Sequence, residues 1–145
     1  MKMYHYTDCG LDNVYLENGY TIAKDGSLFI EDIHGLHHFI ARRIVLQGRK
    51  LKGKEIRFIR HFMDLSQKTM GEILGVDYQT VHRWETSKNV IPKTADRFLK
   101  VIFHEYLDPD SRARSVMEMI SDLDNNRGDR KIELSHKKDK WREAA

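Results

Sequence analysis

Between residues 14 and 30 the apolar positions come in three short, β-rich runs: Val14-Tyr15-Leu16, Tyr20-Thr21-Ile22 and Leu28-Phe29-Ile30. Asn18-Gly19 and Asp25-Gly26 separate them. Both dipeptides are strong turn signals, because glycine accepts the positive φ that tight hairpins need, so the spacing predicts a three-stranded meander. From Ile33 the period changes. Leu36, Phe39, Ile40 and Ile44 recur at helical spacing behind Asp32, a natural cap, and complete a small α+β unit over residues 1–47. The polar, glycine-bearing stretch at 48–53 reads as a linker.

Four helices are predicted next, over residues 54–107. The first runs from Glu55 to Met63, with Phe58 and Phe62 on a different face from Ile56, Ile59 and Met63 and therefore candidates for docking the N-terminal unit. Ser66 caps the second, which Gly75 ends, and Asp77 caps a third that reaches about Glu85. Pro92 suits the first position of the fourth, with Ala95, Phe98, Leu99 and Ile102 facing inward. Asp108-Pro109 then opens a fifth helix within residues 108–126, with Val116, Met119, Ile120 and Leu123 on one stripe. Residues 127–145 are polar and aperiodic apart from Ile132, Leu134 and Trp141, and are expected to be disordered.

Composition narrows the classes. The length of 145 residues allows one domain or two small ones. No apolar run is long enough to span a bilayer, so no membrane partner is expected. Met1-Lys2-Met3-Tyr4-His5-Tyr6 leads into no apolar segment, and the single Cys9 cannot form an internal disulfide, so the expected compartment is the cytoplasm. A net charge of +3 looks mild for a nucleic-acid binder until it is divided along the chain. Residues 1–41 carry −4, residues 42–104 carry +8, residues 105–126 carry −4 and residues 127–145 carry +3. A basic middle between acidic flanks points to one segment facing a polyanion and others facing something else.

The informative stretch runs from Leu65 to Glu85. Two short helices that cross steeply need a small residue where their backbones approach, which Gly71 supplies, and a turn residue tolerant of positive φ, which Gly75 supplies. Met70, Leu74, Val76, Val81 and Trp84 have the spacing to fill the wedge, leaving Tyr78, Gln79, His82 and Arg83 on an outer face. Leu65-Ser66-Gln67, Leu74-Gly75-Val76 and Thr80-Val81-His82-Arg83-Trp84-Glu85 resemble the Cro/cI-type (XRE) helix-turn-helix domain over about residues 54–107. The resemblance implies a mainly α fold, a five-helix domain of that type preceded by the small α+β unit, with the helix from Asp77 entering the major groove of double-stranded DNA.

Carried over by position, the resemblance makes Gln79 and Arg83 the leading base readers, since Gln pairs bidentately with adenine and Arg with guanine. Tyr78 would meet a thymine methyl or a phosphate, and Asp77 is either a pure cap or an acceptor for cytosine. Gln67, Thr80, His82 and Lys88 are the expected phosphate contacts of the motif itself. Arg42, Arg43, Arg49, Lys50, Lys52 and Lys54 form either a solvated surface or a phosphate-tracking arm, with Lys52 and Lys54 nearest the reading unit.

Other motifs look chemical without a supporting set. Gly48-Arg49-Lys50-Leu51-Lys52-Gly53-Lys54 fits the start of a P-loop, but Glu55 stands where the magnesium-binding hydroxyl belongs and a helix precedes it. His5, Cys9, His34, His37 and His38 lack paired ligand spacing. Asn18-Gly19-Tyr20-Thr21 and Ile33-His34-Gly35-Leu36 resemble the zinc-ribbon half of MqsA-type antitoxins, which precedes the same helix-turn-helix. Of that family's two C-x-x-C pairs only Cys9 remains here, with Tyr6, His38 and Ala41 at the other positions. The resemblance implies a cysteine-poor scaffold that has replaced its metal by an apolar core, so neither metal nor cofactor is expected. Nucleophile, base and stabiliser do not assemble into a catalytic set, and an enzyme is not expected.

A single helix-turn-helix reads few base pairs, which predicts a homodimer, with the stripe near Val116 as its candidate contact. The expected function is a DNA-binding transcriptional regulator, a repressor by family habit. The alternative is an antitoxin whose acidic N-terminal unit (Asp8, Asp12, Glu17, Glu31, Asp32) binds a basic toxin protein while the helix-turn-helix represses its own operon.

Overall fold

A computed structural model describes residues 3–108 and 133–144, and the helix expected around Val116 falls outside them. In the N-terminal unit, β1 (Tyr4–His5) pairs antiparallel with β2 (Tyr15–Leu16), and β3 (Tyr20–Ile22) with β4 (Leu28–Ile30). The expected meander is therefore two separate two-stranded ladders. Of the two turn dipeptides, only Asp25-Gly26 closes a hairpin, held by the Ser27 N–H on Asp25 Oδ1 at 2.9 Å. Asn18-Gly19 instead redirects the chain, with Gly19 O accepting from Glu31 N–H at 2.9 Å. The rings of Tyr4 and Tyr20, 5.0 Å apart, join the two ladders.

Helix α1 (Ile33–Val45) starts where expected, Asp32 accepting from Gly35 N–H, and buries Ile40, Ala41, Ile44 and Val45. Phe39, expected inside, is 69% exposed. Four more helices follow: α2 (Gly53–Phe62), α3 (Gln67–Leu74), α4 (Tyr78–Glu85) and α5 (Lys93–Leu107). Their core is Ile56, Ile59, Met70, Val81, Trp84, Ile91, Leu99 and Phe103. Five helices are thus described, but α1 belongs to the N-terminal unit, leaving four from Gly53 to Leu107. Phe98 points outward on α5, at 40% exposure; the inward polar position there is Asp96.

Phe58 and Phe62 do dock the N-terminal unit. His37 and His38 of α1 meet them edge-on at 6.2 and 6.1 Å, and Phe62 continues onto Phe103 at 5.4 Å. The stretch expected to be a linker is tied down. Leu51 is buried and its N–H donates to Asp96 Oδ1 at 2.7 Å, while Lys100 Nζ reaches Gln47 O and Arg49 O at 3.2 and 2.7 Å. A polar composition read as loose because its partners lie some 45 residues downstream on α5.

The tail also departs from expectation. β5 (Leu134–Lys137) pairs antiparallel with β6 (Lys140–Glu143) around Lys138 and Asp139, both at positive φ, as a two-residue hairpin turn requires. His136 and Trp141 face each other across it at 5.1 Å. Neither turn residue is glycine, so the signal was absent from the sequence. Among the described residues no helix is long and apolar enough to cross a membrane.

Candidate nucleic-acid interface

Helices α3 and α4 form a tight pair. Ser66 accepts from Thr69 N–H at 3.0 Å and starts α3; Asp77 accepts from Thr80 N–H at 2.8 Å and starts α4. Between them Gly75 adopts φ +74°, a left-handed conformation that glycine enters without a Cβ penalty. A Cβ on Gly71 would stand 2.6 Å from Val76 O, so the absence of a side chain there lets the turn close against α3. Met70, Val81 and Trp84 are buried as expected, while Leu74 and Val76 are half-buried. Gly53 plays a similar part that the sequence did not reveal: a Cβ would lie 2.5 Å from Trp84 O, so the start of α2 packs directly on the end of α4.

The outer face of α4 brings Tyr78, Gln79, His82 and Arg83 together, all exposed. Thr80 sits half-buried beside them, its hydroxyl donating to Asp77 Oδ1 at 3.1 Å. Those two donors from Thr80 hold the Asp77 carboxyl below its ordinary pKa. Lys88 follows in the next loop, its N–H on Arg83 O. Lys52 and Lys54 are exposed and line a cleft of about 420 Å³ shared with Asn13, Ser87 and Asn89. The structure therefore brings these lysines to the α4–α5 loop. It also engages Lys54, whose Nζ lies 3.2 Å from Asp12 Oδ2 in an exposed ion pair.

Beneath that face lies a polar network the sequence reading missed. Arg60 of α2 grips Glu85 of α4 through two hydrogen bonds of 2.7 and 2.9 Å, with side-chain exposures of 11% and 4%. Arg60 also donates to Leu65 O at 3.0 Å, and Gln67 reaches Glu85 and His82. A signal was present: Arg60 lies on the same helical stripe as Ile56, Ile59 and Met63, and a charge on an apolar stripe calls for a partner. Two further carboxylates are buried with their own cations. Burial raises the pKa of Glu55, but Arg49, the Lys52 N–H and Gln47 outweigh it and hold the group below its usual range. Asp96 pairs with Lys100 at 3.1 Å. Each buried acid takes one cation with it, so the +8 of this segment resides on exposed side chains such as Lys68, Arg83, Lys88 and Lys93.

The chain matches no family model, no curated protein and no solved structure.

At the positions where a zinc ribbon would place ligands, Tyr6 and Ala41 are buried, and Cys9 and His38 half-buried. Tyr6 OH and His37 Nε2 are 2.8 Å apart, and Cys9 Sγ lies 3.9 Å from Tyr6 O. Burial pushes the Cys9 thiol up and the His37 imidazole down, away from the charged form in each case. Among the described residues no group of three His, Cys, Asp or Glu side chains is placed to hold a metal ion.

Proposed function

We propose that the chain is a sequence-specific DNA-binding transcriptional regulator of the Cro/cI (XRE) type, acting as a dimeric repressor at a palindromic operator, with its own promoter the first site to test. The observation that carries this reading is the outer face of α4. Tyr78, Gln79, His82 and Arg83 stand exposed together there while Glu85, the acid of the same helix, is turned inward onto Arg60. Such a face offers donors to bases and a positive field to phosphates. Arg83 and Gln79 read bases, Tyr78 assists them, and Thr80, His82, Lys88, Lys52 and Lys54 lie toward the backbone. Asp77 serves as the helix cap. Footprinting on the DNA upstream of the coding region tests the proposal. Protection of a twofold-symmetric site with half-sites about 34–36 Å apart supports it. Binding with no protected site would leave only a general polyanion binder.

One observation favours a second reading, an antitoxin whose N-terminal unit holds a toxin protein. An open groove of about 970 Å³ runs between β2 and α1, with Tyr15, Phe39 and Leu46 among its exposed apolar residues and Arg42 and Arg43 also lining it. Of the acids expected to meet a basic toxin, Asp32 caps α1 and Asp12 pairs with Lys54. Arg42 and Arg43 fit a partner that brings apolar anchors and carboxylates to this groove, while Asp8, Glu17 and Glu31 stand exposed elsewhere on the unit for a basic surface.

A further inference from the structure

The contacts between α3 and α4 have donor and acceptor roles that chemistry alone assigns. Glu85, as a carboxylate, only accepts. Its Oε2 takes Arg60 Nε at 2.7 Å, and its Oε1 takes Arg60 Nη2 at 2.9 Å and the Gln67 side chain at 3.3 Å. The Gln67 atom facing that carboxylate must be the amide nitrogen, because the amide oxygen would set two acceptors against each other. The same nitrogen carries a second N–H and lies 3.4 Å from His82 Nδ1. An amide nitrogen donates and does not accept, so Nδ1 is the bare nitrogen of the ring. A neutral imidazole then carries its proton on Nε2.

We infer that the buried Arg60–Glu85 pair fixes, through Gln67, the tautomer of His82, which meets a phosphate oxygen as an Nε2–H donor. Gln67 is then a positioning residue, its two N–H groups engaged by Glu85 and His82, rather than a phosphate ligand itself. The phosphate contact rests on the DNA-binding reading; the tautomer is a property of the free chain. The arrangement gives α4 a directional Nε2–H donor one residue from the Arg83 guanidinium. The buried ion pair beneath it sets the donor's polarity.

Nitrogen-15 spectra of the histidine rings in the full chain, at a pH where the imidazoles are neutral, test this. His82 is expected in the Nε2–H form without admixture of the other tautomer. Gln67→Leu, at a half-exposed position on α3, should let the Nδ1–H form appear, and Gln67→Met should do the same if leucine disturbs the helix. A random-sequence DNA duplex, sufficient because phosphate contacts are sequence-independent, should shift the Nε2-bound proton. A tautomer mixture already present in the parent chain overturns the inference. So does a ring signal indifferent to both Gln67 variants. A duplex that binds without moving that proton overturns the phosphate contact. A duplex that fails to bind at all removes the phosphate contact and the regulatory reading together, while the ring signals of the free chain still decide the tautomer.

Discussion

From Gly53 to Leu107 the apolar side chains close around Ile56, Ile59, Met70, Val81, Trp84 and Phe103, and the buried acids Glu55, Glu85 and Asp96 each have a cation. From β1 to the end of α1 large apolar side chains are left exposed beside the buried ones. Tyr6, Leu11 and the inner face of α1 (Ile40, Ala41, Ile44 and Val45) are buried, but Tyr15, Ile22, Phe29, Phe39 and Leu46 stand more than half exposed. Strands of two or three residues cannot enclose a core of their own. This unit completes its burial by laying α1 against α5 and by His37 and His38 on Phe58 and Phe62. The contrast separates two jobs: the helical unit holds one face rigid from beneath, and the N-terminal unit displays an apolar surface on borrowed support.

The sharpest way to break that contrast is Glu85→Ala. It leaves Arg60, 11% exposed, as an unpaired charge inside the helical unit. Removing one partner of a buried pair costs about 3–5 kcal/mol, because the remaining ion stays out of water with no counter-charge, here with its bond to Leu65 O still in place. Urea unfolding of the variant should show a loss of that size. A loss below about 1 kcal/mol would place the pair with ordinary surface bridges. Gly71→Ala comes next. Its new Cβ would meet Val76 O at 2.6 Å and Asp77 C at 3.2 Å, backbone atoms that move only if the α3–α4 turn moves. An overpacking cost of about 1–3 kcal/mol is expected, read from the same transition.

How much of this was legible depends on the range over which each signal acts. The caps at Asp32, Ser66 and Asp77, the left-handed Gly75 and the outward face of α4 are local, set by residues within one or two turns, and the structure places them where the sequence did. The misses are long-range. Residue type alone does not show that Leu51 N–H meets Asp96, that Arg60 meets Glu85, or that Tyr15–Leu16 pairs with Tyr4–His5 instead of β3. Phe39 and Phe98 share a different cause. Each lies at a helical spacing that fits a core stripe, but no neighbouring element covers that edge among the described residues. For the interface, position on the exposed face was readable, whereas the polar layer beneath it required the partner helix.

Arg83→Ala separates stability from function. The guanidinium is exposed and makes no ion pair among the described residues, so unfolding should change by less than about 0.5 kcal/mol. DNA affinity should fall by about 1–3 kcal/mol with relaxed preference at one base position. Titration against operator and random duplexes distinguishes the outcomes, since equal losses on both would make Arg83 a phosphate contact. Acid exposes a smaller difference. Glu55 is held below its usual pKa in the folded chain, so its contribution is present above its unfolded pKa and is lost as pH falls through the folded one. Glu55→Gln should flatten the stability profile across that acidic window. An unchanged slope would assign the acid sensitivity to another carboxylate.

The smallest effect is the one that defines the N-terminal unit. Leu46 is 76% exposed at the end of α1, beside the groove lined by Phe39 and Arg43. If that surface is displayed for a partner, Leu46→Asp removes little from the chain's own packing. Its unfolding free energy should then stay within about 0.5 kcal/mol of the parent, the usual range for an exposed position. DNA binding by α4 should also be unchanged, because Leu46 lies outside the α3–α4 pair and its supporting network. A partner captured through the groove should instead bind more weakly, since the substitution removes an apolar anchor and puts in its place a charge that must be desolvated on binding. A large loss of stability in the free chain would reverse the contrast. It would mean that the groove is covered by the protein itself and that the N-terminal unit, like the helical one, is chiefly a packed core.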